Sequence, residues 1–310
     1  MSNNFKSIRD GYGEGLLVEA SKNSKIVALT ADLAESTRVL PIAQKLPQQF
    51  IECGVSEQNM MGVAAGLALA GKIPFVNSFA VFSPGRNWDQ LRVSICYSNL
   101  SVKIAGHHVG LSASFDGATH MGLEDLALTR VLPNLAIIQP SDFNEAKNCV
   151  TVAANYAGPV YVRISKSTVA NLSPSKQEFV VGQGQVLKSG QDLTLISSGA
   201  LVGACLEVAK GLSNPDIELL KLSTVKPLDE DLILKSAAKT GQVLVVEDHQ
   251  IDGGLGSAVA ELLSAKLPTK VYRHGIYNQF LESGSEFDLL AKYGLDKTGI
   301  LAKIKEVYKK

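Results

Sequence analysis

The chain has 310 residues, of which 45% are hydrophobic and 19% charged, enough apolar material for about two domains with buried cores. Thirty basic residues balance thirty acidic ones, so no bulk field draws the protein to nucleic acid or anionic lipid, and any anionic ligand must be held by local charges. The four cysteines, Cys53, Cys96, Cys149 and Cys205, are too widely spaced for a zinc ribbon or a secreted disulfide framework and read as reduced core residues.

From the amino terminus, MSNNFKSIRD carries no apolar h-region, and the longest apolar stretch, GVAAGLALAG, is too short to span a bilayer, so a cytoplasmic protein is expected. Short Val- and Ile-rich runs then alternate with segments of helical period, the pattern of a parallel sheet covered by helices on both faces. Strands are expected at KIVALTAD from Lys25, IPFVNSF from Ile73, VKIAGHH from Val102, LAIIQP from Leu135 and PVYVRIS from Pro159. A helix from Ser56 opens S-x-x-N, which predicts a capped start, and its small residues suit close packing on a neighbouring helix. KSTVANLSPSKQEF then loses periodicity and gains Ser, Pro and Lys. The expected linker is therefore about 166–180, between a first domain at 1–170 and a second at 180–310. The second unit repeats the α/β pattern, with strands at DLTLISSG, IELLKLST, QVLVVED and TKVYRHG. Its helices are expected near 201–212, 229–239 and 255–267. The expected fold class is α/β, with two doubly wound, mostly parallel sheets.

Three segments carry candidate chemistry. GHHVGLSASFDGATHMGLED follows a strand and packs three histidines, three acids and four glycines into twenty residues, at the strand end where open α/β sheets bind ligands. A lone histidine there reads as a satisfied surface residue; His107, His108 and His120 with Asp116 read as a site. Their spacing is poor for a metal. Glu57, in GVSEQNM, stands at the first turn of an otherwise apolar helix. It reads either as a dipole-stabilised acid or as a desolvated carboxyl able to exchange a proton with a bound heterocycle. In FVNSFAVFSPGR, Phe75, Phe79 and Phe82 precede Arg86 and read either as core aromatics or as a platform for a planar ring.

At these segments the chain resembles the carboxyl-terminal section of transketolases, over essentially its whole length. TADLAEST, GVSEQNM, GHHVGLSASFDGATH and VEDHQIDGGLGSAV follow the family's order. The resemblance implies a pyrimidine-binding domain followed by a terminal domain, and thiamine diphosphate as cofactor. It implies that Glu57 hydrogen-bonds the aminopyrimidine and promotes the tautomer that deprotonates thiazolium C2, with Phe79, Phe82 and Arg86 forming the pyrimidine pocket. His108 and His120 then stand near the reacting end of a ketose phosphate and Asp116 at a substrate hydroxyl. Asp32, Ser36, Arg9, Arg163 and Lys166 fall to substrate and phosphate binding. Lys166 replaces a family Arg and lacks its bidentate fork. His107 replaces a small residue, which leaves open whether it or His108 faces the substrate. Phe115 and Met121 replace Glu and Gln and are expected to alter the pocket rim.

The family's diphosphate site, a G-D-G motif with a downstream Asn that holds Mg2+, has no counterpart here, where only FDG and IDGG occur. The resemblance therefore implies half of a split transketolase that moves a two-carbon ketol unit to an aldose phosphate. Its partner is expected to be an N-terminal-section subunit, in a heterotetramer of two of each. Related alternatives are the beta subunit of a 2-oxo acid dehydrogenase decarboxylase component and a deoxyxylulose-phosphate-synthase-like enzyme. An alternative of another class is a non-catalytic partner subunit, against which the joint presence of Glu57, His108, Asp116 and His120 argues.

Overall fold

A computed structural model describes residues 4–175 and 179–308; Lys176, Gln177 and Glu178, within the expected linker, lie outside the described residues. The first section runs β1 (Phe5–Ser7), α1 (Ile8–Lys22), β2 (Ile26–Thr30), α2 (Leu40–Lys45), β3 (Phe50–Glu52), α3 (Glu57–Leu69) and β4 (Ile73–Phe79). It continues with α4 (Trp88–Gln90), a π-helix over Leu91–Tyr97, β5 (Lys103–His107), a 3-10 segment over Gly110–Asp116 and α5 (Asp125–Arg130). It closes with β6 (Ala136–Ile138), α6 (Phe143–Asn155), β7 (Val160–Ile164) and β8 (Thr168–Ala170). The second section holds β9 (Gln185–Lys188), β10 (Leu193–Ser197), α7 (Val202–Gly211), β11 (Ile217–Lys221) and β12 (Thr224–Lys226). After these come α8 (Glu230–Thr240), β13 (Gln242–Gln250), α9 (Leu255–Lys266), β14 (Lys270–Ile276), α10 (Glu286–Lys292) and α11 (Lys297–Val307).

The fold is α/β, built on two mostly parallel sheets. The first has the order β12-β6-β7-β5-β4-β2-β3 and is parallel except for β12; the second has the order β14-β13-β10-β11-β9 and is parallel except for β9. The central strands β2, β5 and β7 are buried along their whole length, as expected of strands covered on both faces. One apolar cluster joins Val27, Leu29 and Val76 of the first section to Ile196, Val243 and Val245 of the second, so the two sections share a core.

IELLKLST, expected to be one strand, ends as β11 at Lys221, and its last residue, Thr224, opens β12. β11 stays in the second sheet, whereas β12 crosses to the edge of the first and pairs antiparallel with β6. The ribbon β1–β8 enters the segment expected to be linker. The start of α3 also differs from its expected cap: the Ser56 hydroxyl donates to the Cys53 carbonyl at 2.8 Å and makes no side-chain cap. The small residues of α3 meet no neighbouring helix at Gly62 and Gly66, where an added Cβ would touch nothing. Close helix packing occurs instead between α1 and α6, where a Cβ on Gly11 would lie 2.1 Å from the Phe143 carbonyl oxygen. Cys96, Cys149 and Cys205 are buried free thiols, while Cys53 is only partly buried. Among the described residues no helix is long and apolar enough to cross a membrane.

Candidate active site at the carboxyl edge of the first sheet

Parallel strands direct their carboxyl ends to one edge, and the loops leaving β2, β4, β5 and β7 converge there. β4 ends on Phe79, and the following turn brings Phe82 parallel to it, with ring centroids 6.0 Å apart and planes 11° apart. The Arg86 guanidinium lies 4.1 Å from the Phe82 ring centroid and donates through one nitrogen to both oxygens of Glu57, at 3.0 and 3.2 Å. Glu57 is only 4% exposed, at the first turn of α3. Asn87 braces this corner by donating to the Glu57 carbonyl and to Ser83 Oγ. A buried carboxyl beside a stacked aromatic wall suits a flat ring that bears a protonatable nitrogen. Phe75 is not part of that wall: it sits four residues earlier on β4, fully buried with Ala28 and Ala105.

The histidines are sorted by backbone geometry. His107 is the last residue of β5 and turns into the core, edge-on to Tyr12 at 5.0 Å, with neither ring nitrogen bonded. His108 has φ +57, a left-handed conformation that costs a non-glycine residue on the order of 1 kcal/mol or more. Its ring stacks on Phe79 at 3.9 Å, and its Nε2 lies 3.4 Å from Arg9 Nη1. His108, and not His107, therefore joins the cluster. Burial first, then the positive charges of Arg9, Lys166 and Arg38, depress its pKa to about 3, so the ring is neutral at ordinary pH. His120 closes the other side, edge-on to Phe82 at 5.3 Å and to Phe79 at 6.1 Å, with Nδ1 2.8 Å from the Thr119 hydroxyl.

Arg9, on α1, donates to the Ser36 carbonyl at 3.0 Å and so ties the loop after β2 to His108. Burial, followed by the nearby Arg38, lowers its pKa from the usual arginine value. Lys166 follows β7; its amide donates to Ser112 Oγ and its carbonyl accepts from Ser7 Oγ, leaving the ammonium free of those contacts. Asp32, with φ +60, and Asp116 are exposed on loops of the same edge.

Two expected site residues lie elsewhere. Arg163 is fully buried on β7 and cannot meet a phosphate in the cleft. Its Nε donates to both oxygens of Asp125 at 3.1 and 2.9 Å, and its Nη1 to Asp248 at 2.6 Å. Met121 is also not on a rim: it is buried against Leu111 and Leu123. Phe115 is 72% exposed. The sequence reading missed Asp125 and Asp248. A charged Arg163 in a wholly apolar strand already demanded buried acids, and VEDHQ offered one.

The family model "Transketolase, pyrimidine binding domain" matches residues 6–171, and "Transketolase, C-terminal domain" matches residues 182–300. A Methanocaldococcus jannaschii protein named for the transketolase C-terminal section is 41% identical, over 100% of this chain and 99% of its own length. A subunit of the apulose-4-phosphate transketolase of Phocaeicola vulgatus is 37% identical, over 100% of both chains. A solved split-gene transketolase, titled as an inactive beta4 tetramer, superimposes with a TM-score of 0.87 at 40% identity and 97% coverage of each chain. Transketolase from Campylobacter jejuni, at 23% identity, shares the fold with a TM-score of 0.82, and this chain covers 47% of it. The buried carboxyl, aromatic wall and histidine loop thus stand on a chain that belongs to the transketolase family and corresponds to its pyrimidine-binding and C-terminal domains.

Proposed function

We propose that this chain is the cofactor-activating subunit of a split transketolase, transferring a two-carbon ketol unit from a ketose phosphate to an aldose phosphate. In this reading residues 1–170 form the pyrimidine-side domain and residues 180–310 the terminal domain. A second polypeptide supplies the diphosphate and Mg2+ site, and two copies of each make the working assembly. The observation that carries the proposal is the meeting of buried Glu57, paired with Arg86, and the Phe79–Phe82 wall at the sheet edge. Bound thiamine diphosphate supplies a carbon that adds to the ketose carbonyl and stores the transferred unit.

Glu57 holds and exchanges a proton at the pyrimidine ring nitrogen, a task that needs a titratable group and that Gln cannot perform. Phe79 and Phe82 cover the ring and exclude water, and Arg86 fixes the carboxyl. Neutral His108 offers hydrogen bonds to sugar hydroxyls without adding charge, His120 faces it across Phe79, and Asp116 accepts from a hydroxyl. Arg9, Ser36, Lys166 and Asp32 hold the polar and phosphate end of the substrate. The Phocaeicola vulgatus relative, itself a transketolase subunit of matching length, supports the split arrangement.

Calorimetry of the purified chain with thiamine diphosphate and Mg2+ tests this. Weak binding and no ketol transfer are expected until the partner is added. Tight metal-dependent binding by the chain alone would contradict the split.

A further inference from the structure

The loop that carries the candidate histidines is closed at its base. The Gly110 amide donates to the Gly122 carbonyl at 2.9 Å, and Val109 and Gly122 form a parallel bridge, so Asp116 and His120 lie on a closed loop with His108 at its entry. That base rests on groups from two strands. Arg163 Nη2, on β7, lies 3.4 Å from the Gly122 carbonyl and 3.1 Å from the Asp248 carbonyl. Asp248 belongs to β13, in the second section. It accepts Arg163 Nη1 at 2.6 Å through Oδ1, while its Oδ2 occupies the space beside Gly110, where a Cβ would come within 2.3 Å. The next residues of β13 add a main-chain clamp, the Gln250 amide donating to the Leu123 carbonyl at 2.8 Å. Asp125 holds the other side of the Arg163 guanidinium and also accepts from the Tyr161 hydroxyl at 2.7 Å.

We infer that Arg163 and Asp248 are positioning residues, through which the second section fixes the loop bearing His108, Asp116 and His120; the catalytic part of this inference rests on the transketolase reading. The second section contributes none of the groups gathered around Glu57. Its buried carboxylate nevertheless touches Gly110, a glycine at the loop base that has no room for a side chain. Glu57 and Arg86 are held by α3 and Asn87, apart from Arg163 and Asp248, whereas the turn carrying Phe79 and Phe82 meets the loop base where Gly122 faces Ala80 and Val81. The carboxyl that exchanges the proton therefore has a support of its own. Loosening the anchor should harm steps at the sugar and spare proton exchange at the cofactor.

Asp248→Asn keeps the shape and removes the charge. Gly110→Ala attacks the same contact from the loop side, because φ is +57 there and the Cβ meets Asp248. Misfolding of either variant leaves the other to decide. Amide deuterium exchange in the full chain should quicken in peptides covering 108–122 and stay at the wild-type rate in 57–69. In the enzyme reconstituted with its partner, ketol transfer should fall roughly 10- to 100-fold, the effect of misplacing groups by about an ångström. Cofactor C2 proton exchange should remain within about twofold of wild type, since the Glu57 carboxyl has a support of its own. Unchanged protection at 108–122, or equal losses in C2 exchange and transfer, would overturn the inference. Absent C2 exchange in the wild-type complex would instead count against the transketolase reading, and the amide exchange would still decide the anchor.

Discussion

Lys166 stands where a phosphate-binding arginine is expected, and its backbone is fixed from both sides by Ser112 and Ser7. In the proposed role the lysine would pair with phosphate as a point charge, contributing to binding and not to the chemical step. Lys166→Ala should raise KM for phosphorylated acceptors well beyond any loss in kcat, as steady-state kinetics on phosphorylated and unphosphorylated acceptors would show. Equal effects on both acceptors would place the ammonium away from the phosphate. The grouping of Glu57, Phe79, Phe82 and Arg86 was legible only through the family resemblance, since Arg86 stands 29 residues beyond Glu57 and the residues alone left the aromatics open to a core role. Arg163 was expected at a phosphate because its partners Asp125 and Asp248 come from other elements, although its place in an apolar strand already pointed to buried acids. The pairing overcomes burial, which by itself lowers the Arg163 pKa: Asp125 and then Asp248 hold it above the usual arginine value. The two neighbouring histidines were likewise ambiguous until the positive φ of His108 set which ring leaves the sheet.

Among the elements, α1 matters beyond its own stability because it carries Arg9 into the site. Its packing against α6 leaves no room at Gly11, where the nearest atoms belong to the Phe143 backbone and cannot swing aside. Gly11→Ala would gain up to about 1 kcal/mol of helix propensity. It should nevertheless destabilise the chain by about 1–3 kcal/mol, because separating two packed helices outweighs that gain. Urea unfolding should show a lower midpoint, and an unchanged or higher one would mean that α1 has slack. The longer strands were legible as Val- and Ile-rich runs and α7, α8 and α9 as the helices between them, whereas α10 and α11 were not expected. The short strands β1, β3, β8 and β12 were not expected either, whereas β6, equally short, was, because LAII is an unbroken apolar run between Asn134 and Pro140. β12 in particular owes its place to pairing with β6 across the boundary between sections.

At the level of the whole molecule, the sections are joined by a shared apolar core and by buried ion pairs, Arg163 with Asp248 and Lys221 with Glu145 at 2.9 Å. The order of two α/β units could be read from alternating patterns, but the way they lock together could not, since it depends on contacts between residues far apart in the chain. The resulting body presents Glu57 and its aromatic wall at one sheet edge, and the proposed role requires that edge to activate a cofactor whose diphosphate another chain holds. Hydrogen–deuterium exchange at cofactor C2 reads that activation without any sugar. Three samples are needed: the chain alone, the chain with its partner, and Glu57→Gln with the partner. Exchange should be fast only in the second. In the third it should fall by about 10²- to 10⁴-fold, the usual worth of a positioned acid–base group, while the complex still assembles and binds cofactor. Near-normal exchange in the Glu57→Gln complex, or fast exchange in the chain without its partner, would contradict the proposed role.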